Sequence, residues 1–464
     1  MRRNPGTEQV FSWTTLLIGA AFVLIVGKSA AQEGFVEPFS PQGREAIAAA
    51  IRQMEWDGVQ VGVWVEDFSG RLLFIHRGEQ QFALASNTKL FTTAAALLAL
   101  PADFRWHTSA YFDAQNRLWL VGGGDATFHI LEGLSYPDLF LDRVAERLKQ
   151  KGIREVRELI LDPWYFDAEF QHPDWPQDQL RRRYAAPICG LPYGRGLVRM
   201  RVNGSTIYAA TSDPVGVALR FLEHGLRRRG IAVPRSRIAQ EGSPHPKEEQ
   251  LLYRQPSPWS LEQVVLEINA ESDNYLADHL LKTLGAELFG QGSFSGGVRA
   301  IVRTLGRFGL PMERVQLLDG SGLARREGGG NLASPSVVVG LLVTMARLPQ
   351  GEAFVRSLAV GGVRGTLKNR FSEPPLRGRV LAKTGWINGS VALSGYLIGP
   401  DDQAVAFSIL TTYTRTDSEA FRAQIYRFQE ELLAHIWQLL EEADPASTPP
   451  AVAQAAHLVE EEPE

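Results

Sequence analysis

One cysteine, Cys189, stands in the 464 residues of this chain. No intramolecular disulfide can form, so packing alone must hold the fold, and Cys189 reads as a buried small hydrophobe. A thiol nucleophile would want a positioned histidine, and none lies near it in sequence. The nine histidines show no metal-ligand spacing, with no His-Glu-x-x-His and no paired cysteine. No metal and no cofactor are therefore expected. Positive charge is not in excess either: 48 Lys and Arg against 52 Asp and Glu leave a net charge of -4. Binders of nucleic acid cluster basic residues, and the composition makes no case for one. The triplets Arg181-Arg182-Arg183 and Arg227-Arg228-Arg229 are short and read as solvated faces.

The apolar stretch at residues 13–26 falls short of the roughly 20 residues that span a membrane. Arg2 and Arg3 precede it and Ser29-Ala30-Ala31 follows, the small residues a signal peptidase reads. Residues 1–31 therefore read as a secretory signal peptide. The alternative is an uncleaved anchor. No cysteine follows the stretch, which excludes lipoprotein attachment. Export places the protein in the periplasm or cell envelope, with peripheral or no membrane association after cleavage. At the other end, residues 443–464 are rich in proline and glutamate and finish Glu460-Glu461-Glu462-Pro463-Glu464. That composition predicts a disordered acidic tail.

What is present begins with Ser86-Asn87-Thr88-Lys89 and an Ala-rich apolar run that stops at Pro101. On a helix, a hydroxyl and an amine three residues apart face one way. A serine needs a base within hydrogen-bond reach to become a nucleophile, and such a lysine supplies one locally. The run is apolar around its circumference, which predicts a buried helix holding the pair rigid. Alone the motif is weak, since roughly one or two chance matches are expected in a chain of this length. An N-cap serine and a surface lysine would look the same. Downstream, however, come Ser272-Asp273-Asn274 and then Lys383-Thr384-Gly385. In that order the three motifs are the signature of serine acyl-transfer enzymes that act on penicillins.

Hydrophobic residues make up 44% of the chain, ample for a packed core, and the length suits about three domain-sized units. Residues 46–54 pattern as an amphipathic helix, 59–66 as a strand, Asp67-Phe68-Ser69-Gly70 as a turn and 72–76 as the return strand. Near the other end, 380–384, 391–398 and 404–411 read as strands. Phe421, Ile425, Phe428, Leu432, Ile436 and Leu439 mark a long amphipathic helix over 418–441. Strands at both ends with helices between imply one antiparallel sheet closed from the two ends of the chain. That sheet would place Lys383 on an edge strand facing the Ser86 helix. Between 104 and 255 the pattern alternates strand and helix, as in an inserted domain. Gly122-Gly123-Gly124-Asp125 lacks the Gly-Lys-Ser/Thr ending of a phosphate loop and reads as a turn.

The chain resembles the class C low-molecular-mass penicillin-binding proteins, the D-alanyl-D-alanine carboxypeptidase and endopeptidase family of bacterial wall metabolism. Beyond the three motifs, the likeness runs through Leu120-Val121-Gly122-Gly123-Gly124-Asp125, Tyr184-Ala185-Ala186-Pro187, Glu271-Ser272-Asp273-Asn274-Tyr275-Leu276-Ala277-Asp278, Asp319-Gly320-Ser321-Gly322-Leu323 and Gly365-Thr366-Leu367. It implies an α/β (α+β) fold: a transpeptidase/β-lactamase-like domain, here 32–103 and 256–442, with an antiparallel sheet flanked by helices. An α/β domain at 104–255 would be inserted, and the family's second insertion would be missing or reduced to a loop after residue 202. The implied partners are peptidoglycan stem peptides, with β-lactam antibiotics as inhibitors.

By the same resemblance Ser86 would attack the penultimate D-alanine carbonyl and Lys89 would accept its proton. Ser272 would relay a proton to the leaving amine, and Asn274 would hold Lys89 and the substrate amide. Lys383 and Thr384 would recognise the terminal carboxylate. Gly385 would leave room along the strand, and the backbone N–H groups of Ser86 and Trp386 would form the oxyanion hole. The family usually has Ser or Thr where Trp386 stands, so carboxylate recognition departs from the pattern at this point. Asp319, Gly320 and Gly322 would shape a turn beside the site. A β-lactamase, or a weakly catalytic wall-peptide-binding scaffold, are the alternative readings.

Overall fold

The computed structural model describes residues 40–131, 133–202, 205–326, 329–400, 403–443 and 447–460. The signal-peptide expectation for residues 1–31 lies outside them. Alternating valines start the fold. Val59, Val61, Val63 and Val65 are all buried on one face of the strand Val59–Asp67, whose partner is not only its hairpin mate Leu72–His76 but also Ala404–Tyr413. A strand from the chain's start thus pairs with one from its end. The six-stranded order is Ala359–Val360, Val380–Ile387, Ser390–Ile398, Ala404–Tyr413, Val59–Asp67, Leu72–His76, antiparallel at every junction. Lys383 was expected on an edge strand. The two residues Ala359 and Val360 pair only with Ala382 and Leu381, so the strand becomes an edge from Lys383 onward.

Helices cover both faces. Behind the sheet, Ile47, Ile51 and Met54 of helix Pro41–Trp56 meet Phe421, Ile425, Leu432 and Ile436 of helix Glu419–Ala443 and the inward-facing strand valines. In front lies helix Thr88–Ala99, in which Leu90, Phe91, Ala94, Ala95 and Ala96 are fully buried. Burying a Phe or Leu side chain contributes about 1.5–3 kcal/mol each. An all-round apolar helix therefore belongs in the larger core, in which Leu276, Leu280, Val338 and Leu342 are also buried.

A second sheet has five strands in the order Ser236–Ile238, Glu158–Asp162, Arg117–Gly122, His107–Phe112, Leu251–Pro256. Its first two junctions are parallel and the others antiparallel. Helix Tyr136–Gln150 makes one crossover, and its Phe140, Leu141, Val144 and Leu148 form a separate core with Leu118, Leu120, Leu159 and Leu161. The Gly122-Gly123-Gly124 triplet is a close approach rather than an anion loop. A Cβ on Gly122 would come within 2.3 Å of the Gly190 oxygen, and one on Gly123 within 2.4 Å of the His107 oxygen. Where the second insertion of the resemblance would stand, the chain makes a hairpin of Leu197–Val202 and Ser205–Ala210, then helix Pro214–Arg228 capped by Asp213.

One expectation is overturned. The tail at 443–464 was read as disordered, but Pro450–Glu460 is a helix whose Ala451, Val452 and Ala455 are buried in the larger core. It packs on helices Pro335–Arg347 and Gly351–Arg356. Averaged over the tail, prolines and glutamates mask a short run with Pro at its first position and small apolar residues at one-, three- and four-residue steps.

Candidate active site

The turn before the buried helix is tight. Ala85 has φ 46°, Thr88 Oγ1 donates to the Ala85 carbonyl at 2.8 Å, and the Leu84 and Asn87 amides are held by the carbonyls of Asn331 and Leu84, both at 2.9 Å. Only glycine fits opposite it, since a Cβ on Gly322 would sit 1.9 Å from the Ala85 oxygen. The side chain of Asn87 donates to the Lys383 carbonyl at 3.0 Å, which ties this turn to the edge strand. Ser86 is thereby presented at the helix start, against the strand that carries Lys383-Thr384-Gly385.

Lys89 is fully buried and spends its three donors on Ser86 Oγ at 3.0 Å, Asn274 Oδ1 at 2.7 Å and the Ser321 carbonyl at 2.7 Å. Three separate segments of the chain meet at one nitrogen. Burial pulls its ammonium down to about 8, against the carboxylates of Asp278, Asp319 and Asp273, which favour the charged form. Near neutrality a usable fraction of Lys89 is therefore free amine. Lys383, also fully buried, donates to the Thr384 carbonyl at 3.0 Å, and burial and then the nearby Lys89 charge push it well below the usual lysine range.

Asn274 opens helix Asn274–Phe289, capped by Asp273 Oδ1, which accepts from the Leu276 amide at 3.0 Å. Ser272 just before it has φ 62°, the left-handed region that a residue with a side chain enters at an energetic cost. As a residue Ser272 is half-buried, two positions before Asn274. Thr384 donates to Thr366 at 2.8 Å. A Cβ on Gly385 would meet Ser86 N and Leu84 O at 3.1 Å each, so the turn carrying Ser86 lies directly against the strand. Trp386 is 45% exposed and leans toward helix Glu419–Ala443: the Arg422 guanidinium lies 4.4 Å above its ring and pairs with Asp417 at 2.7 Å.

Asp319 accepts from the amides of Gly322, Leu323 and Ala324 at 2.8, 3.1 and 2.7 Å and from Trp175 Nε1 at 2.9 Å, the wiring of a turn. Several contributors escaped sequence reasoning. The Ser321 carbonyl, Asn87 and Thr366 lie inside or beside the quoted motifs, so proximity in sequence was a signal. Asp278 lies four residues beyond Asn274, and burial with neighbouring Asp319 holds its carboxyl well above the usual range. Arg195, more than seventy positions upstream by number, pairs with Asp273 and had no local signal. Among the described residues, no cluster of three or more His, Cys, Asp or Glu side chains could hold a metal ion.

Comparison with known proteins identifies the family. Residues 44–204 and 194–432 match the model of the D-Ala-D-Ala carboxypeptidase 3 (S13) family. The chain belongs to that family. As an S13 enzyme it is a serine-type D-Ala-D-Ala carboxypeptidase or endopeptidase of the class C penicillin-binding group. It is 29% identical over 445 residues to the D-alanyl-D-alanine carboxypeptidase of Actinomadura sp. (strain R39), covering 79% of this chain and 80% of that protein. With D-alanyl-D-alanine carboxypeptidase DacB of Haemophilus influenzae it shares 22% identity over 452 residues, 82% of this chain and 92% of the relative. The crystal structure of penicillin binding protein 4 from the same organism superposes with a TM-score of 0.74 at 21% identity, covering 84% of this chain and 99% of that one. That likeness establishes the mixed helix and sheet fold.

Proposed function

We propose that Ser86 is the acylated nucleophile of this S13 enzyme and that Lys89 is its base. The observation that carries the reading is the buried Lys89 amine, 3.0 Å from Ser86 Oγ and held by Asn274 and Ser321. In the first step the Ser86 Oγ–carbonyl carbon bond forms and the carbon–nitrogen bond to the leaving D-amino acid breaks. The Ser86 proton passes to Lys89 and, with Ser272 as relay, to the leaving amine. In the second step water adds to the same carbon, the bond to Ser86 breaks, and the proton returns to Ser86. The backbone N–H groups of Ser86 and Trp386 are assigned to the carbonyl oxygen, and Lys383 and Thr384 to the substrate carboxylate.

Peptidoglycan stem peptides are the proposed substrate and β-lactams the proposed acylating inhibitors. The pattern of residues 1–31 supports export to the periplasm or cell envelope. We further infer that residues 104–255 act as an inserted unit, supported by their own sheet and core. Intact mass of the purified protein with benzylpenicillin, beside Ser86→Ala, tests the assignment. A stable adduct present in the parent and absent from Ser86→Ala is expected. An adduct that persists in Ser86→Ala would overturn it, and penicillin consumed without an adduct would favour a β-lactamase.

A further inference from the structure

Arg195 sits in a run of three left-handed residues, Gly194 at φ 60°, Arg195 at φ 58° and Gly196 at φ 64°. Glycine adopts that region freely and arginine does not, so a side chain held there must be fixed by its surroundings. Backbone bonds from Gly196 N to Tyr193 O at 3.1 Å and from Thr211 N to Gly196 O at 2.9 Å fix the run from both sides. The effect is to aim Arg195 out of the second unit and into the Ser272-Asp273-Asn274 turn. There its guanidinium pairs with Asp273 Oδ2 and stacks 4.8 Å over the Tyr275 ring. The other oxygen of Asp273 caps the helix that begins at Asn274. The residues before and after Asp273 are Ser272, itself left-handed, and Asn274, which bonds Lys89.

We propose that Arg195 is a positioning residue for catalysis, clamping the turn that carries Ser272 and Asn274 and neutralising the Asp273 carboxylate that faces Lys89. The proposal rests on Lys89 acting as the base for Ser86. Electrostatics support the second half of it. Asp273 is among the carboxylates that favour protonated Lys89, with Asp278 and Asp319, and the Lys89 charge in turn lowers neighbouring Lys383. Arg195 is faced by Asp273, Tyr275 and Glu267, and Glu267 by Asp273 and Glu271 as well. Remove the guanidinium and the Asp273 charge acts on Lys89 without its counterion, so the amine keeps its proton to higher pH.

The test follows the rate of penicillin acylation from pH 6 to 10 for the parent, Arg195→Met and Arg195→Lys, with thermal unfolding of each. Arg195→Met should still be acylated at Ser86, but with its rising limb displaced to higher pH, so that the rate at pH 7 drops about tenfold for each unit of displacement. Arg195→Lys should recover part of that displacement. Asp273→Asn in the Arg195→Met background should return the midpoint toward the parent, because the uncompensated charge is gone. A profile for Arg195→Met that keeps the parental midpoint, with or without a loss of stability, would overturn the proposal and leave Arg195 a structural clamp. Absence of a Ser86 adduct in the parent itself would instead overturn the Lys89–Ser86 reading on which the proposal stands.

Discussion

Asn274→Asp isolates the protonation state of Lys89 better than any deletion, because it changes one atom's chemistry and keeps the shape. Asn274 Oδ1 lies 2.7 Å from Lys89 Nζ, so the substitution sets a carboxylate against an amine that burial holds at about 8. An opposite charge at that range raises an amine's pKa by about one to three units. In the parent, about 9% of Lys89 is neutral at pH 7. After substitution the neutral fraction there falls to between about 1% and 0.01%, which slows acylation of Ser86 by roughly 10- to 1000-fold, or about 1.4–4 kcal/mol. The sign is fixed by the direction of titration: the base works when deprotonated, so the deficit is largest at low pH and closes as pH rises through 9 and above. Stopped-flow acylation by a fluorescent penicillin from pH 6 to 10.5 reads the whole curve. A loss of equal size at every pH would mean that Asn274 matters only for geometry. No loss at all would refute Lys89 as the base.

Gly385→Ala should slow acylation by about 10- to 100-fold with a fall of only a few degrees in Tm, since its Cβ would press on Ser86 N and Leu84 O at 3.1 Å and displace an oxyanion donor. The second-order acylation constant and a melt check it together. Val452→Asp, at a fully buried position of the last helix, should lower unfolding free energy by about 1–3 kcal/mol while leaving the acylation rate unchanged. Urea titration with an acylation assay on the same sample decides. Cys189 is buried and its thiol is pushed up to about 12 by desolvation, so a maleimide at pH 7.5 should label it only after denaturation. Rapid labelling of the native protein would contradict that burial.

Local patterns were legible wherever one period governed a segment. Alternation at Val59, Val61, Val63 and Val65 predicted a half-buried strand, and the spacing from Phe421 to Leu439 predicted the helix behind it. The three motifs were legible as chemistry because each concentrates reactive groups within four residues. The last helix was missed because its few apolar residues are diluted by prolines and glutamates and acquire meaning only against Pro335–Arg347 and Gly351–Arg356.

By itself the sequence determined that no disulfide braces the fold, that Ser86 and Lys89 stand three residues apart where a helical turn would bring them together, and that strands at both ends must close one sheet. Those conclusions depend on residue type and short-range periodicity, which survive without coordinates. Only the tertiary structure decided that the Lys89 amine meets Asn274 and Ser321 at one point, how burial lowers its proton affinity, where Trp386 leans, and that Arg195 reaches Asp273. Each of those depends on distance and exclusion of water between segments far apart in the chain, and no local pattern encodes either.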